Sequence, residues 1–401
     1  DGKDHQSCQF LSKRAPDESH EFTWKEVTTT RGGELAEILG DQLRSVDSLV
    51  VKGNVNDKDF HAMWDASLYG YLSVINLKNA VLENNAVPDT AFFHENEQYE
   101  GSSHEIFYYI GLRKIILPEG LEKIGEGAFY QASALRQVNF PSTLRYIGDF
   151  AFNATKLEMN QLVIPEGVEE INQYAFAFCR KLKAQVTLPS TIKKIGEWAF
   201  YACPITSINL PEGLESLGSL AFWDCDLREV SIPSSCHEFN EGWQFGFNRN
   251  LEKMHLPEGM TEIPDHFAVD CFRLREVNFP HTLKHIGEKA FSLCISLKNV
   301  DLPLGMQSLG EEAFSELEAL EQIVFPASMK SLGKNSCSYW KNIKRIYCAA
   351  MEPPVCDPTD GGVFSGFDFP DGFDTPVVYI PKGSINKYKD TSRNCMGWEK
   401  F

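Results

Sequence analysis

Five cysteines, Cys179, Cys203, Cys225, Cys271 and Cys294, recur at spacings of 24, 22, 46 and 23 residues. Such a thiol column could relay electrons or hold a soft metal, because thiolate is both the nucleophile and the ligand. No C-x-x-C pair or Cys/His cluster at zinc spacing accompanies it, so no structural metal site is expected. Free cysteine is also among the most buried residue types, and the favoured reading is five reduced side chains packing a repeated turn. Near the C-terminus, Cys337, Cys348, Cys356 and Cys395 could include a disulfide in an exported protein, and the odd total of 11 leaves both states open.

Acid/base chemistry has no better footing. The pairs Glu169-Glu170 and Glu311-Glu312 fall between apolar columns, where solvation accounts for them. The acidic run Asp357, Asp360, Asp368, Asp371 and Asp374 lacks the D-x-[DN]-x-[DN]-G spacing of a calcium loop. There is no G-x-S-x-G, H-E-x-x-H, Walker A or G-x-G-x-x-G motif, and the ten histidines are scattered. No catalytic residue, cofactor or metal ligand is assigned, and a binding role is expected ahead of an enzymatic one.

The elements that position these residues come from a repeat. Proline follows an apolar residue at Pro118, Pro141, Pro165, Pro189, Pro211, Pro233, Pro257, Pro280, Pro303 and Pro326, at intervals of 22 to 24 residues. Each copy approximates L-P-x-x-L-x-x-I-G-x-x-A-F-x-x-C-x-x-L-x-x-V-x, with the cysteines at the fourteenth place after proline. One copy of about 23 residues cannot bury all its apolar columns alone, so copies must stack into a solenoid. Before each proline the pattern has a period of two, which predicts a short strand and, across copies, a parallel sheet with rungs about 4.8 Å apart. The chain is thus expected to be a mostly β, α/β repeat solenoid with terminal caps. The expected divisions are a segment 1–21, an N-terminal cap and degenerate first repeats over 22–117 with an inserted loop 93–111, ten repeats over 118–348, and a C-terminal cap over 349–401.

Two surfaces of such a stack could recognise a partner. The outward strand positions carry amides, including Gln137, Asn139, Gln161, Gln185 and Asn209, able to hydrogen-bond a polypeptide or glycan but equally readable as a solvated sheet. At the ninth place lie Phe150, Tyr174 and Trp198, followed by Leu220, and at the twelfth Tyr130, Tyr201 and Trp223. The copy after Pro233 breaks register with Trp243-Gln244-Phe245-Gly246-Phe247. These rings form either an interaction stripe or cover for the core, with cover somewhat ahead.

With 38 Lys+Arg against 56 Asp+Glu the formal charge is 38 − 56 = −18, which excludes a general binder of nucleic acid or anionic membrane. Hydrophobic residues at 43% and charged residues at 23% are ordinary globular usage, so the chain can bury a core. No run approaches the roughly 20 apolar residues of a membrane helix.

The motif A-F-x-x-C-x-x-L-x-x-[IV]-x-L-P-x-x-[LI]-x-x-I-G, carried from Pro118 to Cys348, resembles the BspA-like leucine-rich-repeat family of Bacteroides-type bacteria. Gly33 to Gly40 and Leu49 to Phe60 before the repeats, and Val378 to Lys389 with Gly397 to Phe401 after them, resemble the family's ends. The resemblance implies a right-handed leucine-rich-repeat superhelix, export to the cell surface or exterior, and adhesion or binding to a protein or glycan such as host matrix or other cells. It also implies that a start like Asp1-Gly2-Lys3-Asp4 follows a lipidated cysteine, so a lipid anchor ahead of Asp1 is an expectation.

Overall fold

The computed structural model describes residues 20–93, 110–356, 362–364, 376–390 and 398. The segment 1–19, nearly all of the expected loop 93–111, the acidic run from Asp357 to Asp374 and Cys395 lie outside the described residues. Packing divides the chain into a first unit, Asp1–Ile192 with Ala202–Pro204, and a second, Lys193–Tyr201 with Ile205–Phe401.

The first unit opens with strand β1 (Trp24–Thr29), helix α1 (Leu35–Leu39), β2 (Ser48–Val55), helix α2 (Asp57–Tyr69) and β3 (Val74–Leu82). The start of α2 is set by a capping box, in which Asn56 accepts from Lys58 N and Asp59 accepts from Asn56 N. Asp59 also accepts from the backbone N–H groups of Gly33 and Leu35, tying α1 to α2. β1, β2 and β3 pair in parallel, and Lys114–Ile116 and Gln137–Val138 extend the same sheet, so the cap passes its backbone pairing directly to the repeats.

From Pro118 to Cys348 each repeat is one coil of a parallel-strand β-solenoid without helix. The strand before proline lies where alternation places it, as in Gln161–Val163 paired with Gln185–Thr187. A second ladder, absent from the sequence expectations, runs through the fifth and sixth places, for example Ile147 opposite Ile171 and Leu217 opposite Phe239. It forms another side of each coil, and its Ile and Leu side chains are buried, as at Ile147, Ile171, Ile195 and Leu217.

Between the ladders the Ala-Phe pairs face inward. In the first unit Phe92, Phe129, Phe152 and Phe176 stack at 5.2 to 5.3 Å, and in the second Phe200, Phe222 and Phe245 stack at 5.5 and 5.6 Å. All are buried, and each ring contributes about 1.5–3 kcal/mol of transfer free energy. The glycine of the I-G step is required by close coil-to-coil approach: a Cβ on Gly218 would fall 2.4 Å from Glu197 N.

Successive coils are not equivalent. The two residues after proline alternate between Glu-Gly (119–120, 166–167, 212–213, 258–259) and a hydroxyl pair or its relative (142–143, 190–191, 234–235, 281–282). Each glutamate holds its neighbour across the coil step, as in Ser142 Oγ to Glu119 (3.0 Å) and Ser190 Oγ to Glu166 (3.0 Å). Each following hydroxyl bridges two backbone groups: Thr191 Oγ1 accepts from Gly167 N at 2.9 Å and donates to Val168 O at 2.8 Å. Ser235 does the same between Gly213 N and Leu214 O, and Thr282 between Gly259 N and Met260 O. The structural module is therefore a pair of coils, clasped at one corner. In the pair at Pro303 and Pro326, Leu304 and Ala327 replace the Glu and Ser, and Leu304 is 89% exposed.

Candidate functional site

The cysteine column is internal. Cys179, Cys203, Cys225, Cys271 and Cys294 are buried, and each thiol donates to the carbonyl of a Phe or Ala one coil earlier, from Cys203 Sγ to Phe176 O at 2.8 Å to Cys225 Sγ to Phe200 O at 3.3 Å. Where the register breaks, Asn248 Nδ2 performs the same task on Phe222 O (2.7 Å), and at the end Trp340 Nε1 does so on Phe314 O (2.7 Å). A donor common to thiol, amide and indole marks the column as a hydrogen-bonding support for the turn. Cys337, Cys348 and Cys356 are likewise buried free thiols, and no three His, Cys, Asp or Glu side chains among the described residues form a metal cluster.

Burial pushes the Cys271 thiol up to about 12 from 9, and raises Cys294 well above its ordinary value. A raised folded-state value means the native state holds the proton that the unfolded chain releases near pH 9. The thiols thus favour folding fully below pH 9, and that contribution falls as pH climbs from 9 toward 12. Two outcomes are expected: denaturant midpoints drop across that window, and iodoacetamide labels these cysteines only when the chain is unfolded. Rapid labelling of Cys271 in the native protein at pH 8, read by mass spectrometry, would contradict this.

The aromatic positions lie on the outer side of the same turn, and their backbone is unusual. Phe150, Tyr174, Trp198, Trp243 and His266 all have φ between 55° and 66°, the left-handed region that disfavours residues with a Cβ by about 1–2 kcal/mol. For four of them the conformation is fixed because the N–H reaches the next coil: Phe150 N to Gln173 O (2.9 Å), Trp198 N to Ser219 O (2.9 Å), Trp243 N to Asp265 O (3.1 Å) and His266 N to Glu288 O (2.6 Å).

In the first unit, Phe93, Tyr130, Phe150 and Tyr174 are half-buried and touch in sequence, ending in Phe150 and Tyr174 stacked face to face at 4.7 Å and 7°. Stacking covers one face of Phe150 and one of Tyr174. In the second unit the rings are tilted: Trp198 lies 49° from Tyr201, Trp223 58° from Trp243 and 34° from Phe247. Trp223 rests on Gly246, where a Cβ would come within 2.1 Å of its ring, and His266 stacks on Trp243 at 3.6 Å. Burial, the largest influence, pulls the His266 imidazole below its usual value and favours the neutral ring. Asp224, Glu241 and Asp265 stand exposed in the same turns, and Arg249 lies over Phe247 and Phe272 at 5.7 and 5.6 Å.

One of the sequence-derived candidates needs correction, and a second is already engaged within the chain. Phe245 is 0% exposed and belongs to the phenylalanine core; one inserted residue after Pro233 makes Phe247 the outward ring. Asn139 is exposed, but its amide both accepts from Leu117 N (2.7 Å) and donates to Leu117 O (3.0 Å), extending the strand edge. Gln137, Gln161, Gln185 and Asn209 are exposed on their strands. The outward strand face of the second unit also carries ionisable pairs, with Lys253 to Glu276 at 3.2 Å and His255 to Glu229 at 3.3 Å.

The BspA type leucine rich repeat region model matches six copies over residues 102–186, 183–292 and 266–351. The chain belongs to the BspA-type leucine-rich-repeat family. Among solved structures this BspA-type chain is similar to a leucine-rich repeat protein from Bacteroides ovatus, with 21% identity, a TM-score of 0.55, and coverage of 84% of this chain and 92% of that one. A leucine rich cell surface protein from Faecalibacterium prausnitzii (17%, TM-score 0.37, 80% and 87%) and the pneumococcal vaccine antigen PcpA (17%, TM-score 0.39, 94% and 88%) are also similar. No curated protein matches it. Among the described residues of the BspA-type chain, no helix is long and apolar enough to cross a membrane.

Proposed function

We propose that this BspA-type chain is a non-enzymatic binding protein of the bacterial cell surface or exterior, and that its repeat surface holds a protein or glycan partner. The observation that carries the reading is the tilted cluster of Trp198, Tyr201, Trp223, Trp243 and Phe247 in the second unit. Half-buried indoles held at an angle to their neighbours on a rigid turn leave part of their ring surface open, and aromatic anchors of this kind carry interfaces. The carboxylates of Asp224, Glu241 and Asp265 beside them favour a partner bearing basic groups. In the first unit, the face-to-face pair Phe150 and Tyr174 supports a second reading, structural cover in a spacer.

The test is a glycan-array and matrix-protein binding screen of the full chain, repeated with Trp198→Ala, Trp223→Ala and Trp243→Ala. A partner seated on the cluster should lose at least about 30-fold in affinity on Trp223→Ala, as a hot-spot aromatic does. Raised salt should weaken the wild-type complex. Unchanged binding in all three variants would remove the cluster from the interface, and hydrolysis of an offered polymer would overturn the non-enzymatic reading.

A further inference from the structure

The outward strand face changes character toward the C-terminal cap. Gln322–Phe325, Arg345–Cys348 and Val377–Tyr379 form a parallel three-stranded sheet in which Val324, Tyr347 and Tyr379 stand side by side. Val324 is 48% and Tyr379 46% exposed, and the two tyrosine rings stack at 4.6 Å and 12°. With Ala349, Ile380 and Pro381 these residues line an open cavity of about 480 Å³. A contiguous apolar patch across three strands is uncommon on a soluble surface.

The same place is a sheet edge. Among the described residues Val377–Tyr379 pairs only with Arg345–Cys348. Val377 N donates to Lys344 O, so the alternation of a parallel ladder directs the N–H and C=O of Val378 to the open side. Among the described residues beside the strand, positive side chains outnumber negative ones in a chain whose net charge is −18. Glu321 and Glu352 are engaged by Lys344 and Lys387, while Arg345 and Lys382 are exposed beside the strand.

We propose that this edge takes an extended, acidic segment of a partner polypeptide as an added strand, with one apolar side chain of that segment seated against Tyr347, Tyr379 and Pro381. Backbone pairing would supply affinity, the cavity the anchor, and Arg345 and Lys382 the selection for acidic residues. This site is separate from the tryptophan cluster, and neither reading depends on the other.

The probe is a fluorescein-labelled peptide of alternating Glu and Val, seven residues long, titrated against the full chain by anisotropy. Saturable binding is expected, weakening about tenfold or more from low to high salt. A Lys/Val peptide of the same length should bind at least about tenfold more weakly. Methylating alternate backbone nitrogens of the Glu/Val peptide removes its ladder donors without touching the protein, and should likewise lose about tenfold. Tyr379→Ser, at an exposed position, should lose a similar factor, and Arg345→Glu should shift preference to the Lys/Val peptide. The proposal is overturned by absence of Glu/Val binding at millimolar peptide, by equal binding of the methylated peptide, or by equal binding of the Lys/Val peptide. It is equally overturned if sedimentation shows a dimer of this chain that Tyr379→Ser dissolves.

Discussion

Phe222→Ala is expected to lower the unfolding free energy of the second unit by about 3–5 kcal/mol, the range for deleting a fully buried phenyl ring. The ring is 0% exposed and packed between Phe200 at 5.5 Å and Phe245 at 5.6 Å. Its removal leaves a void that neighbouring coils cannot fill without breaking their own ladders. In a repeat array the loss should appear as an earlier urea transition of that unit. A change below about 1 kcal/mol would mean that the phenylalanine column is not what joins coil to coil.

Gly218→Ala addresses the spacing of the coils. The new Cβ would meet Glu197 N at 2.4 Å and Gly196 C at 2.5 Å, and the bond from Gly218 N to Ile195 O at 2.8 Å would have to open. Overpacking against backbone, with no side chain able to yield, should cost about 2–3 kcal/mol. Gly120→Ala is the comparison: nothing lies within 4 Å of its added Cβ, and only its φ of +98° is strained, so about 1 kcal/mol is expected. Equal urea midpoints for the two variants would show that the steric approach at Gly218 is not limiting.

The first ladder and the phenylalanine core were legible because both produce long columns at a fixed interval. The second ladder was not, because a strand of two residues such as Tyr146–Ile147 has no alternation to read. The pairing of coils went unread: Glu-Gly and Ser-Thr alternate after proline in the sequence, but only the bonds from Thr191 to Gly167 and Val168 give that alternation a meaning. Phe245 was misplaced because a single inserted residue exchanges inside for outside, leaving the pattern of aromatic letters intact while moving the outward role to Phe247. The Tyr347 and Tyr379 pair escaped notice because its second member arrives after the last repeat, where no spacing predicts its register against Arg345–Cys348.

The two-coil clasp constrains how such a gene can lengthen or shorten. Excising one copy would place a glutamate beside a glutamate, or a hydroxyl pair beside another, and strand the glycine amide that Thr143 or Ser235 now receives. Excising two adjacent copies restores every handshake. Viable length variants of this array are therefore expected to differ by even numbers of repeats, so that inheritance counts the protein in steps of about 46 residues rather than 23.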